Sequence, residues 1–282
     1  MPRLLDTHQH LVYPDRQRYG WMAGVPALAG RVFTLDDYHA LAGGSVAGTI
    51  FMEVDADDYR SEARMVADLA RGASSGLLGI IAGCRPETDA GFEAWLDEGP
   101  DLGVVGYRRI LHQTSDEVSR SAGFRANVRR IGQRGLTFDM CFLARQLPIA
   151  LELAEACPDT ALVLDHCGVP DIAGGAFAPW RDGVRSLAAM PNVSAKLSGV
   201  LAYAAPGTAT IATVRPWVEE VIAAFGPERC MWGSDWPVVN VAGADLPTWI
   251  DGFAELIAGF SEAEQASIAH ATAERIYGVD LA

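Results

Sequence analysis

The chain has 282 residues, of which 50% are hydrophobic and 21% charged, which suits one large α/β barrel or two ordinary domains. Acidic residues outnumber basic ones by 36 to 22. The resulting net charge of −14 argues against a nucleic acid or an anionic membrane surface as a partner.

Eight short apolar or β-branched runs follow one another, and each is nearly continuous, as expected for strands buried on both faces. They begin near Leu4, Val46, Gly76, Leu102, Leu136, Ala161, Val193 and Arg229. Helical patterns lie between them, at Tyr59 to Gly72, Ala122 to Gly135, Ala144 to Cys157 and Val214 to Phe225. A last helix is predicted from Ser261 to Tyr277, where Ser261 and Glu264 have the spacing of a capping box.

Eight strands that alternate with helices predict a (β/α)8 barrel. A doubly wound open sheet is the alternative, but it calls for a glycine fingerprint after the first strand, where a histidine pair stands instead. The sequence contains no linker or charge block, so we expect one domain over residues 1–282. The irregular stretch from Val12 to Thr34 predicts either a pocket wall or a loop packed on the barrel.

The five cysteines are scattered, and none forms a C-x-x-C pair. Such a set favours small core residues in a reducing compartment. No basic leader with an apolar core precedes the first strand, and no apolar run approaches the roughly 18 residues of a membrane span. We therefore expect a soluble, cytoplasmic protein.

The first strand ends in Asp6-Thr7-His8-Gln9-His10. Because side chains alternate along a strand, His8 and His10 are expected on the same side. Two imidazoles there form half of a metal site or half of a carbonyl-polarising pair, and a buried pair is costly without such a task.

Other reactive side chains stand at the ends of later strands, where barrel active sites form. Asp235 follows the eighth run and is either a helix N-cap or a general base beside a bound water. His166 has the equivalent place on the sixth strand. Lys196 and Arg108 lie among apolar neighbours, where an unpaired cation is rare. The weaker candidates, which fit solvated charges or ion pairs equally well, are Glu53, Asp55, Arg85 and Arg109.

Five motifs in this order resemble the amidohydrolase superfamily. They are His8-Gln9-His10, Gly106-Tyr107-Arg108, Asp165-His166-Cys167-Gly168, Lys196-Leu197-Ser198-Gly199 and Trp232-Gly233-Ser234-Asp235-Trp236-Pro237. The set resembles the lactonase branch, which includes L-fuconolactonase, L-rhamnonolactonase and 2-pyrone-4,6-dicarboxylate lactonase. The resemblance covers Leu5 to Tyr277 and implies a distorted (β/α)8 barrel that hydrolyses a lactone ring.

The resemblance also implies roles for individual residues. Asp235 would deprotonate water, and His8, His10 and His166 would polarise the lactone carbonyl. Arg108 and Lys196 would hold substrate oxygens. Independently of the resemblance, Glu53, at the end of the second strand, is a further candidate for substrate binding. The segment Tyr19-Gly20-Trp21-Met22 looks like the sugar lactonases, and the Trp21 ring suits the apolar face of a sugar.

Typical members of the superfamily add a metal ligand on strand five, a histidine or a carboxylated lysine. The run Leu136 to Phe142 contains neither. We therefore expect hydrolysis that requires no metal. If a divalent ion such as zinc is present, its ligands would be His8, His10 and Asp235, with Glu53 or Asp139 available to complete the site.

The leading hypothesis is a lactonase acting on a small sugar-acid lactone, of the L-fucono-, L-rhamnono- or galactonolactone type. A 2-pyrone-4,6-dicarboxylate substrate is the first alternative, and it would need several inward cations. A metal-dependent decarboxylase or hydrolase of the same superfamily is the second. A binding barrel without catalysis has little support, and a homo-oligomer is compatible with the sequence.

Overall fold

A computed structural model describes residues 2–72, 75–88 and 90–281 of the chain. Eight parallel strands pair in chain order in one sheet. They are β1 Leu4–Gln9, β2 Val46–Met52, β3 Leu77–Gly83, β4 Val104–Ile110, β5 Thr137–Cys141, β6 Leu162–Leu164, β7 Val193–Leu197 and β8 Cys230–Trp232. Each begins within two residues of its predicted start.

Backbone hydrogen bonds join β1 to the segment that follows β8. The N–H of His10 donates to the Trp236 carbonyl at 2.9 Å, and the N–H of Asp235 donates to the His8 carbonyl at 2.8 Å. These bonds bring the sheet round on itself. The predicted (β/α)8 barrel is confirmed, in the distorted form that the resemblance implied.

Helices alternate with the strands. They are α1 Leu35–Ala42, α2 Tyr59–Ala70, α3 Phe92–Leu102, α4 Ala122–Gln133, α5 Leu147–Ala156, α6 Phe177–Ala188, α7 Ile211–Phe225, α8 Leu246–Ile257, α9 Glu262–Ala266 and α10 Thr272–Tyr277. A π-helical turn, Ser267–Ala271, connects α9 to α10. The predicted capping box at Ser261 and Glu264 is present, with each side chain accepting from the other residue's backbone N–H.

Two apolar cores follow from the alternation of side chains along the strands. The larger packs the helices against the outside of the barrel. The smaller contains inward side chains such as Leu5, Ile50 and Met231 together with Tyr277 and Val279 from the C-terminal end. The last helix therefore closes the end of the barrel at which the strands begin.

The long segment from Val12 to Thr34 is both a loop packed on the barrel and a pocket wall. Val12 and Phe33 pair across its base, and Met22 is buried in the outer core. Trp21 lies in the short helix Gly20–Gly24, and its indole N–H donates to the Val54 carbonyl at 2.8 Å. The loop therefore packs on the barrel and also forms part of the pocket wall, the two alternatives that the sequence left open.

All five cysteines are free and buried, as expected of core residues, although Cys141 also borders the cavity described below. Among the described residues, no helix has the length and apolar character needed to cross a bilayer.

Candidate active site

The buried carboxylate of Asp6 ties β1 to the segment after β8. Its Oδ1 accepts from the backbone N–H groups of His8 at 2.9 Å and Ser234 at 2.8 Å. Its Oδ2 accepts from the Tyr38 hydroxyl at 2.6 Å. Asp6 therefore fixes the backbone of His8 relative to that of Ser234, the residue before Asp235.

The Asp235 carboxylate uses its two oxygens differently. Oδ1 lies 3.3 Å from His10 Nε2 and 3.8 Å from His8 Nε2. His10 Nδ1 contacts the Met52 carbonyl at 2.8 Å and must therefore donate to it. His10 Nε2 and Asp235 Oδ1 thus face each other as acceptors unless a proton or a cation lies between them. Oδ2 is buried and has no hydrogen-bond partner among the described residues.

His166 stands on the other side of Asp235, with its Nδ1 3.8 Å from Oδ2 and 3.0 Å from the Ser198 hydroxyl. Burial lowers the pKa of His166, which favours the neutral ring. If Ser198 donates to Nδ1, then Nε2–H is a donor. The absence of a side chain at Gly199 allows His166 and Asp235 to lie this close to the backbone, because a Cβ at position 199 would be 2.5 Å from His166 Nδ1 and 2.9 Å from Asp235 Oδ2.

Arg108 is nine-tenths or more buried, and most of its N–H groups are directed at protein acceptors. Nε donates to Glu53 Oε1 at 2.8 Å, and Nη2 donates to the Glu53 carbonyl. Nη1 lies 3.2 Å from His8 Nε2 and 3.4 Å from Asp165 Oδ2. A guanidinium has five N–H donors, so these four contacts leave one, on Nη2, for a ligand.

His8 lies behind Arg108. Its Nε2 accepts from Arg108, so the ring proton of the neutral histidine is on Nδ1, which lies 3.4 Å from Asp165 Oδ1. Burial holds the pKa of His8 well below its ordinary value. A neutral His8 in this arrangement has no donor left for a substrate carbonyl.

Lys196 is fully buried between carboxylates. Its Nζ lies 2.6 Å from Asp139 Oδ2 and 3.6 Å from Asp165 Oδ1. The Tyr277 hydroxyl donates to the same Asp139 oxygen at 2.9 Å. Burial alone would raise the pKa of Asp165, but Lys196 and His8 beside it bring that pKa well below its ordinary value.

A cavity of about 240 Å3 opens above these groups. Its polar lining is His10, Asp55, Arg108, His112, Gln113, His166, Tyr203 and Asp235. Its remaining lining is Trp21, Val54, Ile110, Cys141, Leu143, Val169 and Val238. Five of the predicted site residues therefore line one cavity: His10, Trp21, Arg108, His166 and Asp235. The other three, His8, Glu53 and Lys196, lie outside its described lining.

Five lining residues with polar or thiol side chains were missed or left without a role by the sequence analysis: Asp55, His112, Gln113, Cys141 and Tyr203. His112 Nδ1 lies 3.2 Å from Cys141 Sγ, and burial lowers the pKa of His112 to about 4. Burial, and then the charge of Asp235, raise the pKa of Tyr203 well above its ordinary value, so its hydroxyl stays protonated. Tyr203 follows β7, and a search of the residues after each predicted strand would have found it.

In the part of the chain that the structure describes, two sets of three neighbouring side chains offer ligand atoms to a divalent metal ion. His8, His10 and Asp235 each offer a ligand atom, all within 4.8 Å of one another. However, the lone pair of His8 Nε2 accepts from Arg108, so a positive guanidinium lies 3.2 Å from the point of coordination. On strand β5, Asp139 is paired with Lys196. A second group of possible ligands is His8, Asp165 and His166. The facing acceptors His10 Nε2 and Asp235 Oδ1 offer two ligand atoms to a divalent ion such as zinc, whereas the Arg108 guanidinium beside His8 Nε2 disfavours His8 as the third.

The sequence model of the amidohydrolase family matches residues 5–279. The chain belongs to the amidohydrolase family. L-fucono-1,5-lactonase from Burkholderia multivorans is 27% identical over 291 residues, which cover 98% of this chain and 96% of that protein. The predicted membership in the amidohydrolase superfamily, lactonase branch, is confirmed, and with it the predicted hydrolase class.

Two solved amidohydrolase-fold structures resemble the chain at lower identity. One is an amidohydrolase from Burkholderia multivorans with bound zinc, which covers 99% of this chain and all of its own, with a TM-score of 0.89 and 24% identity. The other, from Pseudomonas putida, has 2-pyrone-4,6-dicarboxylic acid hydrolysis as its suggested activity; it covers all of both chains with a TM-score of 0.78 and 22% identity. At these identities, the likeness shows the common fold.

Proposed function

We propose that this amidohydrolase hydrolyses the ring ester of a small sugar-acid lactone. The observation that carries the proposal is that Asp235, whose Oδ2 has no described hydrogen-bond partner, and His166, whose lowered pKa favours the neutral ring, line the same cavity. That pairing offers a base for water and a donor for a carbonyl. The full-length similarity to an L-fucono-1,5-lactonase supports a lactone as the substrate class.

In the proposed reaction, Asp235 Oδ2 accepts a proton from water as the water oxygen attacks the lactone carbonyl carbon. The His166 Nε2–H and the remaining Nη2–H of Arg108 donate to the carbonyl oxygen, which becomes an oxyanion. Collapse of the tetrahedral intermediate breaks the ring C–O bond. The proton held by Asp235 then passes to the departing alkoxide, which leaves a hydroxy acid.

His10 and His8 act on this centre in different ways. His10 Nε2 lies 3.3 Å from Asp235 Oδ1, and the backbone N–H of Asp235, which donates to the His8 carbonyl at 2.8 Å, holds Asp235 at the cavity lining. His8 accepts from Arg108 and so fixes the direction of the guanidinium. Lys196 and Asp165 support His8 from below, and Glu53 holds Arg108 from the side.

A lactone is an activated ester with a good leaving group, so a metal-bound hydroxide is less necessary than it is for an amide. We propose that the reaction needs no metal. The contact between Arg108 and His8 Nε2 supports this view, because the guanidinium supplies positive charge beside the carbonyl site.

The alternatives fit the cavity less well. A pyrone dicarboxylate carries two negative charges, but Arg108 is the one Lys or Arg in the described lining, which also contains Asp55 and Asp235. A metal-dependent decarboxylase would need the further ligand that β5 does not supply, since Asp139 there is paired with Lys196.

The test is a panel of six-carbon and deoxy sugar lactones, with 2-pyrone-4,6-dicarboxylate included, followed by the acid released into a weak buffer with a pH indicator. We expect turnover of at least one sugar lactone and none of the pyrone. Asp235→Asn serves as the matched control for spontaneous ring opening. Turnover of the pyrone alone, or of no lactone, would refute the proposal.

A further inference from the structure

Strained backbone is concentrated at the cavity. Within residues 2–72, 75–88 and 90–281, five non-glycine residues have a left-handed backbone, and four of them line the cavity: Asp55 (φ 54°), His166 (φ 54°), Val169 (φ 45°) and Asp235 (φ 55°). Such conformations are unfavourable for residues with a side chain, and they collect where function requires a fixed side-chain direction. Asp235 and His166 have proposed catalytic roles. Asp55 has the same left-handed backbone but no role in the proposed reaction.

The protein holds Asp55 in this conformation by a specific contact. Its backbone N–H donates to Glu53 Oε2 at 2.9 Å, and Glu53 is itself bonded to Arg108. The side chain is 23% exposed and lines the cavity. Asp55 is therefore linked to the catalytic arginine through its backbone, while its carboxylate remains open to a ligand.

The carboxylate retains most of its capacity to accept hydrogen bonds. Its described ion-pair partner is Arg85, whose Nη2 lies 3.5 Å from Oδ1, at the outer limit of a hydrogen bond. The Arg85 guanidinium is held over the Tyr59 ring, 4.7 Å from its centroid. An ionised carboxylate has about four acceptor sites, so several remain for hydroxyl donors.

An aromatic ring stands at the same end of the cavity. Trp21 donates its indole N–H to the carbonyl of Val54, the residue before Asp55, and its ring lines the cavity. An indole ring packs on the C–H face of a cyclic polyol, and a carboxylate accepts from its hydroxyl groups. A carboxylate at this position also repels an anionic substrate.

We propose that Asp55 is a specificity-determining residue that binds hydroxyl groups of the lactone. It thereby selects a neutral, polyhydroxylated lactone over an unsubstituted or anionic one. This inference rests on the proposed function, since it names the part of the substrate that the cavity recognises.

The test compares two lactones of equal ring size, one with hydroxyl groups and one without. Hexono-1,5-lactone is paired with δ-valerolactone, and hexono-1,4-lactone with γ-butyrolactone. Glu87→Gln is the matched control for Asp55→Asn, because Glu87 is 24% exposed, pairs with Arg109 at 2.8 Å and lies outside the described cavity lining. Both variants remove one carboxylate charge from an arginine pair.

We expect Asp55→Asn to lower kcat/KM for the hydroxylated lactone by about tenfold to a hundredfold, mainly through KM, because it weakens hydrogen bonds to a charged acceptor. The unsubstituted lactone should change by no more than about twofold, and Glu87→Gln should leave both lactones near wild type. An equal loss for both lactones, or no loss for the hydroxylated one, would overturn the inference.

A binding measurement separates this inference from the hydrolysis itself. A 1,5-anhydrohexitol has the hydroxylated ring without the carbonyl, so its affinity, measured by calorimetry, does not depend on turnover. Weaker binding to Asp55→Asn than to wild type and Glu87→Gln would support the role of Asp55 even if no lactone were hydrolysed. Unchanged binding, beside normal lactone turnover, would reject Asp55 and leave the hydrolase standing.

Discussion

Asp235 faces His10 through one carboxylate oxygen and leaves the other oxygen free in a buried position. In the proposed reaction, Oδ2 accepts the proton of water, while the backbone N–H of Asp235, bonded to the His8 carbonyl, holds the residue in place. Replacement by asparagine keeps the shape of the side chain and removes the basic oxygen.

We predict that Asp235→Asn lowers kcat by at least about a thousandfold, within the range for loss of a positioned base. KM should change little, since Asp235 acts on water. Steady-state kinetics on the lactone found by the panel would measure both. A kcat within about tenfold of wild type would exclude Asp235 as the base, provided that circular dichroism shows an unchanged fold.

His112 titrates at the cavity wall, where burial lowers its pKa from 6.5 to about 4. The unfolded chain therefore binds this proton first as the pH falls. The contribution of neutral His112 to stability is complete above about pH 6.5 and is lost progressively toward about pH 4.

We predict that His112→Gln loses less stability on acidification than wild type does. Between about pH 7 and about pH 4.5, its free energy of unfolding should fall by about 2–3 kcal/mol less. Urea denaturation at several pH values would measure this, with His270→Gln as the control for loss of a part-exposed histidine. Parallel curves for wild type and His112→Gln would show that the imidazole does not titrate in this way.

At the scale of elements, Lys196 joins three neighbouring strands. It lies on β7 and contacts Asp139 of β5 and Asp165, which follows β6. Removal of one partner from a buried ion pair leaves an uncompensated charge, which costs far more than the loss of a surface pair.

We predict that Lys196→Met lowers the free energy of unfolding by about 3–5 kcal/mol, measured by urea denaturation at neutral pH. Arg64→Met, which breaks the exposed pair with Glu98, should cost less than about 1 kcal/mol. The double variant Lys196→Met/Asp139→Asn should recover part of the loss, because it also removes the unpaired charge. A cost for Lys196→Met as small as that for Arg64→Met would contradict the role of the pair.

The strand starts and the residues at the strand ends could be predicted because each is a local signal, an apolar run followed by a reactive side chain. The contacts between these residues could not be predicted. Lys196 and Asp139, for example, are 57 positions apart, and no local pattern in either strand indicates that they form an ion pair. Lys196 therefore resembled a substrate ligand. The position of Asp55 in the cavity could not be predicted either, because the sequence does not show that its backbone is left-handed.

For the whole molecule, the net charge of −14 adds to the negative charge of Asp55 and Asp235 in the cavity lining. Neutral substrates are not repelled by such a field, whereas dianionic ones are. The same acidity would attract divalent cations non-specifically, so metal found in a preparation does not by itself show that catalysis uses it.

We predict that lactone turnover survives exhaustive treatment with a chelator, because Arg108 supplies the positive charge beside the carbonyl site. Metal content by mass spectrometry should be measured on the same sample before and after treatment. Turnover that disappears with the metal and returns with added zinc would overturn this prediction and make His8, His10 and Asp235 ligands.

The bond from Tyr277 to Asp139 joins positions 138 residues apart and has a consequence for biosynthesis. A nascent chain on the ribosome has already made β5, β6 and β7 while the helix that carries Tyr277 is still to be translated. Asp139 and Lys196 then lie in a barrel whose floor is open to water. Final closure should therefore wait until the helix that carries Tyr277 has been made and has left the ribosome, and until then the incomplete barrel depends on its own solubility or on a chaperone.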